Sequence, residues 1–519
     1  MSERAALRVG IDVGGTNTDA VVLDAAGRVV AKVKRPTTPD VTGGLCAALD
    51  AVLAAIPDPR QVTRVMLGTT HATNAILERR SLGRVAVLRL GAPATTSVPP
   101  LSDWPEDLRA AVVAGTAIVR GGRFVDGREI APLDEDAIRR FLAETPADAV
   151  AVTGVFSPAG ADQELRVREI VREELGDVPV SLSHEIGTLG LLERENATVL
   201  NAALYGVARE VTAALEAALA ARGLAVETFF AQNDGTLMSV EYAARYPVLT
   251  IGSGPANSLR GAAHLSGVAD AIVADVGGTS TDLGVLVAGF PRESSAAVEI
   301  GGVTTNFRMP DILSIALGGG TIIDTLGDPR EAPRSVGYRV ATEALVFGGS
   351  TPTMTDAAVA AGRGSVGTRP VPAEARDRLT AAVQVADELI ADAVDRVSLG
   401  KADLPLVAVG GAAFLLPDRI PGVREVLRPA HSEVANAVGA AIALAGGRFE
   451  TIVPAARDAA ERAASLESAK EEAAARAVAA GADPASVRIV ELSEIPLSYL
   501  PEPAVRLHVK AAGPLAGMP

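Results

Sequence analysis

The chain has 519 residues, against roughly 150 for a typical domain, so we expect two or three domains with a large buried core. Its net charge of −15 and the absence of dense basic runs argue against nucleic acid as a ligand. Hydrophobic residues make up 48% and charged residues 21%, which is typical of a packed globular protein rather than a disordered one.

The cysteine count and the hydropathy pattern limit the cellular compartments in which the protein is expected. Cys46 is the single cysteine, which excludes an internal disulfide framework, a thiolate zinc site and an iron–sulfur cluster built by this chain alone. The N-terminal residues lead directly into a strand-like segment without a charged-then-apolar leader, and no apolar run approaches about 18 residues. We therefore expect a cytoplasmic protein with no membrane association.

The first predicted element is a hairpin, and its sequence occurs twice. Residues 12–19 read DVGGTNTD and residues 275–282 read DVGGTSTD, differing at Asn17 and Ser280. Apolar runs precede and follow both copies, so each is predicted to be strand, glycine-rich turn, strand. A repeat this widely spaced predicts two related halves that each open with the same hairpin.

The following segments alternate between strand-like and helix-like patterns, which favours α/β architecture. Residues 93–105 are predicted to form an exposed loop or a crossing segment, and residues 195–222 one long helix with an apolar stripe that bridges the halves. The last residues, after Pro454, are predicted to form a helix and two strands. The predicted division is residues 1–190, residues 191–454 and a small α+β module of residues 455–519.

Glycine clusters mark candidate anion-binding turns. Glycine permits close approach of backbone amides to a phosphate, and neighbouring hydroxyls add donors. The acidic residue ending each incoming strand, Asp12 or Asp275, is suited to Mg²⁺, which prefers oxygen ligands. Two facing hairpins would hold a polyphosphate and its metal from both sides. The candidate nucleotide-binding residues are Gly14, Gly15, Thr16, Asn17, Gly277, Gly278, Thr279, Ser280, Gly318, Gly319, Gly320, Gly410 and Gly411.

Other motifs separate the candidate chemistries. Residues 68–74, GTTHATN, place hydroxyls, an imidazole and an amide after a short strand, which indicates contact with a substrate; residues 232–235, QNDG, fit either a substrate contact or a plain turn. The chain has no G-x-x-x-x-G-K-[ST], no H-E-x-x-H and no G-x-S-x-G. Walker-type nucleotide binding is thereby excluded, and zinc-hydrolase and serine-hydrolase chemistry are disfavoured.

Taken together, the motifs resemble the actin-like ATPase superfold and, within it, the ATP-dependent A-type subunit of the hydantoinase/oxoprolinase family. The matching segments cover roughly residues 7–445 in family order. The resemblance implies ATP and Mg²⁺, with Asp12 and Asp275 positioning the metal. It implies contacts with the β- and γ-phosphates from Thr16, Thr279 and Ser280, and with ribose and adenine from residues 318–320 and 410–411. It implies substrate contacts from Thr70, His71, Asn74, Glu195 and Asn233.

The function implied by this resemblance is ATP-dependent opening of a cyclic amide such as a hydantoin, 5-oxoproline or another lactam, through phosphorylation of a carbonyl or enol oxygen. The family also implies a separate B-type subunit. We expect the chain to form a homo- or hetero-oligomer. Two alternatives remain: a small-molecule kinase of the same superfold, which would leave a lasting phosphorylated product, and an ATPase that activates a partner enzyme.

Overall fold

The structure is a computed structural model that describes residues 6–14, 17–37, 41–187, 189–294, 297–307, 309–326, 333–400, 403–497 and 503–516. Its strands are β1 (Leu7–Val13), β2 (Asn17–Leu23), β3 (Val29–Pro36), β4 (Val62–Thr69), β5 (Val85–Ala92), β6 (Val113–Arg120), β7 (Ala149–Gly154), β8 (Val180–Leu182), β9 (Glu227–Ala231), β10 (Leu237–Ser239), β11 (Ala271–Val276), β12 (Thr281–Val287), β13 (Phe290–Pro291), β14 (Val298–Ile300), β15 (Val303–Thr305), β16 (Leu313–Ile315), β17 (Leu404–Val409), β18 (Val423–Leu427), β19 (Ala445–Pro454), β20 (Arg488–Leu497) and β21 (Ala504–Gly513).

Its helices are α1 (Val41–Ala54), α2 (His71–Glu78), α3 (Glu106–Val112), α4 (Glu135–Glu144), α5 (Asp162–Leu175), α6 (Ser183–Ile186), α7 (Leu191–Ala203), α8 (Tyr205–Ala220), α9 (Val240–Arg245), α10 (Ser253–Ser266), α11 (Val340–Glu343), α12 (Met354–Ala360), α13 (Arg376–Ser398), α14 (Ala435–Ile442) and α15 (Ala459–Ala479).

The two copies of the repeated sequence open two different sheets. The first sheet has the order β20-β21-β19-β10-β9-β4-β1-β2-β3, and the second β13-β12-β11-β17-β18 with β16 on β12. In both, the hairpin strands pair antiparallel, and a later strand, β4 or β17, lies parallel to the first hairpin strand. The predicted two-lobed actin-like α/β fold with duplicated hairpins is confirmed.

A third sheet, β6-β5-β7-β8, is inserted between β4 and β9 and is wholly parallel. Parallel sheets are covered on both faces, and here the buried side chains of β5 and β7 pack against α4 and α5 on one side and α7 on the other. The inserted sheet has its own apolar core, formed by residues such as Leu88, Val152 and Ile170.

The C-terminal segment forms the predicted helix and strands, but these do not make a separate sheet. Strand β21 pairs antiparallel with both β19 and β20, and β19 continues the first sheet through β10. Ala469, Ala473 and Ala477 of α15 pack on the apolar face of these strands. The first sheet thus draws strands from all three predicted segments, while the proposed domain boundaries themselves stay a prediction.

One local prediction is wrong. The helix predicted over residues 195–222 is two helices, because the chain tightens at Leu204, whose amide donates to both Leu200 and Asn201. Residues 93–105 form the predicted loop, and most of them are exposed. The loop nevertheless buries Leu101 and Trp104, and the Trp104 indole donates to Asn196 Oδ1 on α7 at 2.8 Å, so two apolar side chains hold it on the core.

Candidate functional site

The two hairpin turns face one cleft of about 440 Å³. In both turns the first glycine amide donates across the turn, from Gly14 to Asn17 O at 3.0 Å and from Gly277 to Ser280 O at 2.9 Å. Gly15 and Thr16 lie outside the described residues. The predicted nucleotide-binding residues that line the cleft are Gly14, Asn17, Gly277, Gly278, Thr279, Ser280, Gly319, Gly410 and Gly411.

Each hairpin aspartate is held by one of two adjacent residues on α10. Asn257 Nδ2 donates to Asp12 Oδ1 at 3.1 Å, and the Ser258 hydroxyl donates to Asp275 Oδ2 at 2.5 Å. Asn436 of α14 adds donors to Asp12 at 3.0 Å and to Asp19 at 2.9 Å. A single helix therefore fixes the two carboxylates relative to each other, a role that no sequence motif revealed.

Close helix packing makes this arrangement possible. Helices α10 and α14 cross at Gly261 and Gly439, where an added Cβ would lie 1.8 Å from the carbonyl oxygens of Ala435 and Asn257, respectively. Neither position accommodates a side chain. The small residues in these two helical patterns were the available signal for a tight crossing.

A glycine in or directly after the neighbouring parallel strand makes room for each aspartate. An added Cβ at Gly68 would lie 2.2 Å from Asp12 Oδ1, and one at Gly410 would lie 2.3 Å from Asp275 Oδ1. Gly68 lies in β4, which is parallel to β1, and Gly410 directly follows β17, which is parallel to β11. Both halves thus build the same cradle for a carboxylate.

The carboxylates are buried and electrostatically strained. Burial raises the pKa of Asp12 to about 6, and burial also raises the pKa of Asp275 to about 6. Burial likewise raises the pKa of Asp19 and Asp282, despite the Lys34 ammonium 2.7 Å from Asp19. Buried carboxylates that ionise at a cost fit a hard divalent cation such as Mg²⁺, and Asp275 and Asp19 line the cleft.

The glycines at 318–320 pack against the second hairpin. Gly319 N donates to Gly277 O at 2.9 Å, Gly320 N to Gly278 O at 2.7 Å, and Gly318 N to Thr321 Oγ1 at 2.8 Å. All three amides therefore have partners within the protein and are not the free anion donors that the sequence suggested. They position the second turn, while Gly319 still lines the cleft.

One wall of the cleft is apolar and was missed by the sequence analysis. It is formed by Val340, Phe347, Val366 and Phe414, opposite the hairpin turns and beside Gly410 and Gly411. Flat aromatic and branched side chains suit a planar ring such as a nucleobase. These residues come from separate segments without a shared motif, so only the folded chain brings them together.

The predicted substrate residues of the 68–74 segment do not line this cleft. The Thr70 hydroxyl donates to Val13 O at 3.2 Å, at the end of the first hairpin strand. The His71 ring contacts the Thr69 hydroxyl and lines a small, mainly apolar hollow beside α8, where burial lowers its pKa. Asn74 is exposed on α2. Roles for these three residues remain predictions.

Glu195 has a different environment from the one expected. Its carboxylate forms a two-bond pair with Arg89 at 2.6 Å, both side chains have no exposed surface, and it also accepts from the Leu101 amide at 3.2 Å. No atom of the Glu195 side chain is accessible to a substrate in this structure. The pair ties the 93–105 segment to α7, which is a structural function.

Asn233 lies in a second, polar cavity of about 90 Å³, lined also by His184, Asn306, Arg448 and His508. Within the part of the chain that the structure describes, the buried Asn233 Nδ2 and Asn306 Oδ1 have no hydrogen-bond partner. An unpartnered donor and an unpartnered acceptor in one cavity favour a ligand that offers both.

The next residue, Asp234, anchors this cavity. Burial alone would raise its pKa, but Lys510, at 2.9 Å, and Arg448 hold the pKa of Asp234 well below its usual range. Arg448, which lines the cavity, therefore belongs to a charged network that joins the end of β9 to strands β19 and β21. Its rigidity keeps Asn233 at a fixed position.

Comparison with known sequences identifies the family. Residues 8–175 match the profile described as hydantoinase/oxoprolinase N-terminal region, and residues 194–365 match the one described as hydantoinase/oxoprolinase, together more than half of the chain. The chain belongs to the hydantoinase/oxoprolinase family.

Two relatives of this family member are each 30% identical to it over 68% of the chain. They are the acetophenone carboxylase gamma subunit of Aromatoleum aromaticum, covered over 53% of its length, and the caprolactamase subunit alpha of Pseudomonas jessenii, covered over 54%. The chain spans about half the length of the curated relatives it matches.

Solved structures show the same fold. The ATP-dependent caprolactamase from Pseudomonas jessenii superposes with a TM-score of 0.77 at 22% identity, covering 99% of this chain and 88% of that one. Nucleotide-free acetone carboxylase gives 0.65 at 19% identity with the same coverages. In addition, no helix among the described residues is long and apolar enough to cross a membrane.

Proposed function

We propose that the protein is an ATP-dependent enzyme that opens a cyclic amide. The observation that carries this proposal is the pair of equivalent hairpins facing one cleft, with Asp12 and Asp275 held by adjacent residues of α10. ATP would lie with its phosphates between the glycine turns and its base against Phe347 and Phe414. Asp12 and Asp275 would hold Mg²⁺, which supplies positive charge to the transferring phosphoryl group.

The substrate would lie in the polar cavity. A ring amide presents a carbonyl oxygen and an N–H on adjacent atoms, which complement the Asn233 amide donor and the Asn306 acceptor. The cavity volume of about 90 Å³ suits a small ring. The names of the caprolactamase relatives support this substrate class.

The two sites lie along one sheet edge. Gly14, Thr70 and Asn233 follow β1, β4 and β9, which are parallel neighbours. Adjacent strands are about 4.8 Å apart, so the first hairpin and Asn233 are separated by about 10 Å in the sheet direction. Thr70 follows the strand between them, and in this proposal it would contact the transferring group or the substrate.

The reaction would begin with transfer of the γ-phosphoryl group to the amide oxygen, releasing ADP. Phosphorylation of the oxygen makes the carbonyl carbon a better electrophile, so water adds to that carbon and the ring C–N bond breaks, which would leave a free amine and an acyl phosphate. A second water would then hydrolyse the acyl phosphate to a carboxylate and phosphate. The neutral Asn233 and Asn306 side chains would orient the ring. Phosphorylation of a ketone oxygen is the corresponding step if the substrate resembles those named in the carboxylase relatives.

A second subunit is part of the proposal, because the relatives are named as gamma, alpha and beta subunits of their enzymes. This chain would supply the phosphorylation step, and a B-type partner would complete the turnover. Co-purification of the chain with a co-expressed B-type protein tests this point directly.

The test of the function is Mg·ATP binding by calorimetry, followed by ATPase assays with hydantoin, 5-oxoproline and caprolactam. We expect binding that Asp12→Asn and Asp275→Asn each weaken at least about 100-fold, and ATPase stimulation by one of the amides. The exposed Asp136→Asn is the matched control. A lasting phosphorylated product would instead establish a kinase, and stimulation by a protein alone would establish a partner-activating ATPase.

A further inference from the structure

The C-terminal strands present a buried charged face to which the proposed reaction assigns no chemical step. Leu507, Val509 and Ala511 of β21 face the core under α15, so the alternate residues Arg506, His508 and Lys510 point to the opposite side. His508 is 1% exposed and Lys510 is 3% exposed. A covering strand needs no buried imidazole, so the chemistry of this face requires its own explanation.

His508 lies between carboxylates without completing a hydrogen bond to any described residue. Its Nε2 is 3.6 Å from Glu491 Oε1, and its Nδ1 is 3.5 Å from Glu450 Oε2. The buried Glu293 Oε2 also lacks a partner among the described residues, although Glu293 Oε1 accepts from Lys510 at 3.1 Å and from Arg448 at 2.5 Å. Buried polar atoms without partners are costly, so several of them converging on one point indicate a missing ligand.

We propose that Glu293, Glu491 and His508 bind a divalent transition-metal ion. One ligand atom from each lies within 4.8 Å of the others. An ion with bonds of about 2.1 Å at tetrahedral angles places its ligands roughly 3.4 Å apart, close to the 3.6 Å between His508 and Glu491. Mixed imidazole and carboxylate ligands suit Zn²⁺ or Mn²⁺, whereas Mg²⁺ prefers oxygen alone.

The ligand set suits a divalent ion, because two carboxylates supply negative charge and the imidazole supplies a nitrogen donor. Lys510 and Arg448 bind Glu293 Oε1 and fix the position of that carboxylate, which is the usual role of groups behind a metal ligand. His508 also lines the polar cavity, so the ion would be reachable from it. The three ligands lie outside the nucleotide cleft, and the inference does not rest on the proposed function.

The test uses the full chain, stripped of metal and then dialysed against Zn²⁺ or Mn²⁺ in excess Mg²⁺ so that the aspartate site is saturated. We expect one equivalent of Zn²⁺ or Mn²⁺ by elemental analysis, and a Co²⁺ absorption spectrum typical of imidazole and oxygen ligands. His508→Ala should abolish this equivalent. Glu491→Gln should weaken it at least about tenfold.

Two controls make the result decisive. His264→Ala removes a histidine whose Nε2 hydrogen-bonds Gly27 O elsewhere, and should keep the full equivalent. The Glu491 side chain is 39% exposed on an outer strand, so Glu491→Gln should fold even if His508→Ala does not. Absence of bound Zn²⁺ and Mn²⁺ in the wild type, or binding unchanged by both variants, would overturn the proposal.

Discussion

The two hairpins share almost the same sequence but not the same surroundings. Asp12 accepts hydrogen bonds from two amides, those of Asn257 and Asn436, and its strand partner Asp19 pairs with Lys34. Asp275 accepts from the Ser258 hydroxyl, and its strand partner Asp282 accepts from Ser314. The first half thus supplies more positive potential to its carboxylates, and the second is the more dependent on a bound cation.

Alanine substitution of the glycine beside each aspartate should give the largest difference in stability between the two halves. At Gly410, with φ of +91°, an added Cβ would meet the Val276 backbone O at 2.5 Å. Moving the backbone to relieve this contact is energetically costly, so Gly410→Ala should lower the free energy of unfolding by about 3–5 kcal/mol.

At Gly68 the nearest atoms are the ends of the Asp12 and Asn257 side chains, at 2.2 and 2.6 Å. Gly68→Ala should therefore cost only about 1–3 kcal/mol, while displacing Asp12 and weakening Mg·ATP binding at least about tenfold. Chemical denaturation and calorimetry measure both effects. Equal destabilisation by the two variants would show that the cradles are equally rigid.

Neutralising the aspartates should stabilise the metal-free protein. Their pKa values rise from 3.8 unfolded to about 6 folded, so the folded protein favours the protonated acids, and stability present at pH 4 is lost as pH rises through about 6. At pH 7–8 the free energy of unfolding of each Asp→Asn variant should exceed that of the wild type by up to about 3 kcal/mol, and at pH 4 the two should be almost equal.

The size of this gain sharpens the comparison. In Asp275→Asn the new amide can accept from the Ser258 hydroxyl through its single oxygen. In Asp12→Asn the new amide would instead turn its own NH₂ towards one of two amide donors. Asp275→Asn should therefore gain more than Asp12→Asn in thermal and denaturant unfolding across that pH range. A gain that is independent of pH would contradict the burial of ionised carboxylates as its cause.

These contrasts mark what the sequence could predict. The repeated motif predicts both hairpins and their facing, because strand-turn-strand geometry is local and duplication implies pseudo-symmetry. Asn257, Ser258 and Asn436 follow no motif, since their role exists only where α10 and α14 cross between the lobes. Glu195 illustrates the opposite error: a polar residue in a family segment proves to be buried because Arg89, over a hundred residues earlier, pairs with it.

The donors on α10 should have smaller, unequal effects on the pH dependence of binding. Mg²⁺ requires ionised aspartates, so wild-type affinity for Mg·ATP should fall as pH drops below about 6. Among the described residues, Ser258 is the side-chain donor that reaches Asp275. Ser258→Ala removes a hydrogen bond to a charged group, which contributes about 1.5–3 kcal/mol. The variant should therefore move the midpoint of the pH dependence of Mg·ATP affinity up by roughly 1–2 pH units.

Asn257→Ala should shift the same midpoint less, because Asp12 keeps its hydrogen bond from Asn436 at 3.0 Å. Calorimetric affinities measured between pH 5 and 8 compare the two variants directly. A larger shift of the midpoint in Asn257→Ala than in Ser258→Ala would contradict the conclusion that the first hairpin carboxylate is the better supported of the two.

The smallest effect should come from Lys34. Its ammonium lies 2.7 Å from Asp19, but the side chain is 34% exposed, so solvent screens the pair. Lys34→Met should raise the Asp19 pKa further and lower stability by no more than about 1 kcal/mol at pH 7, with the loss disappearing as Asp19 becomes protonated in acid. Asn436 hydrogen-bonds both Asp19 and Asp12. If Lys34→Met lost more stability than this and also bound Mg·ATP more weakly, Lys34 would act on Asp12 through that shared amide. The first hairpin would then be a coupled unit of two carboxylates, one amide and one cation, whereas the second relies on separate hydroxyls.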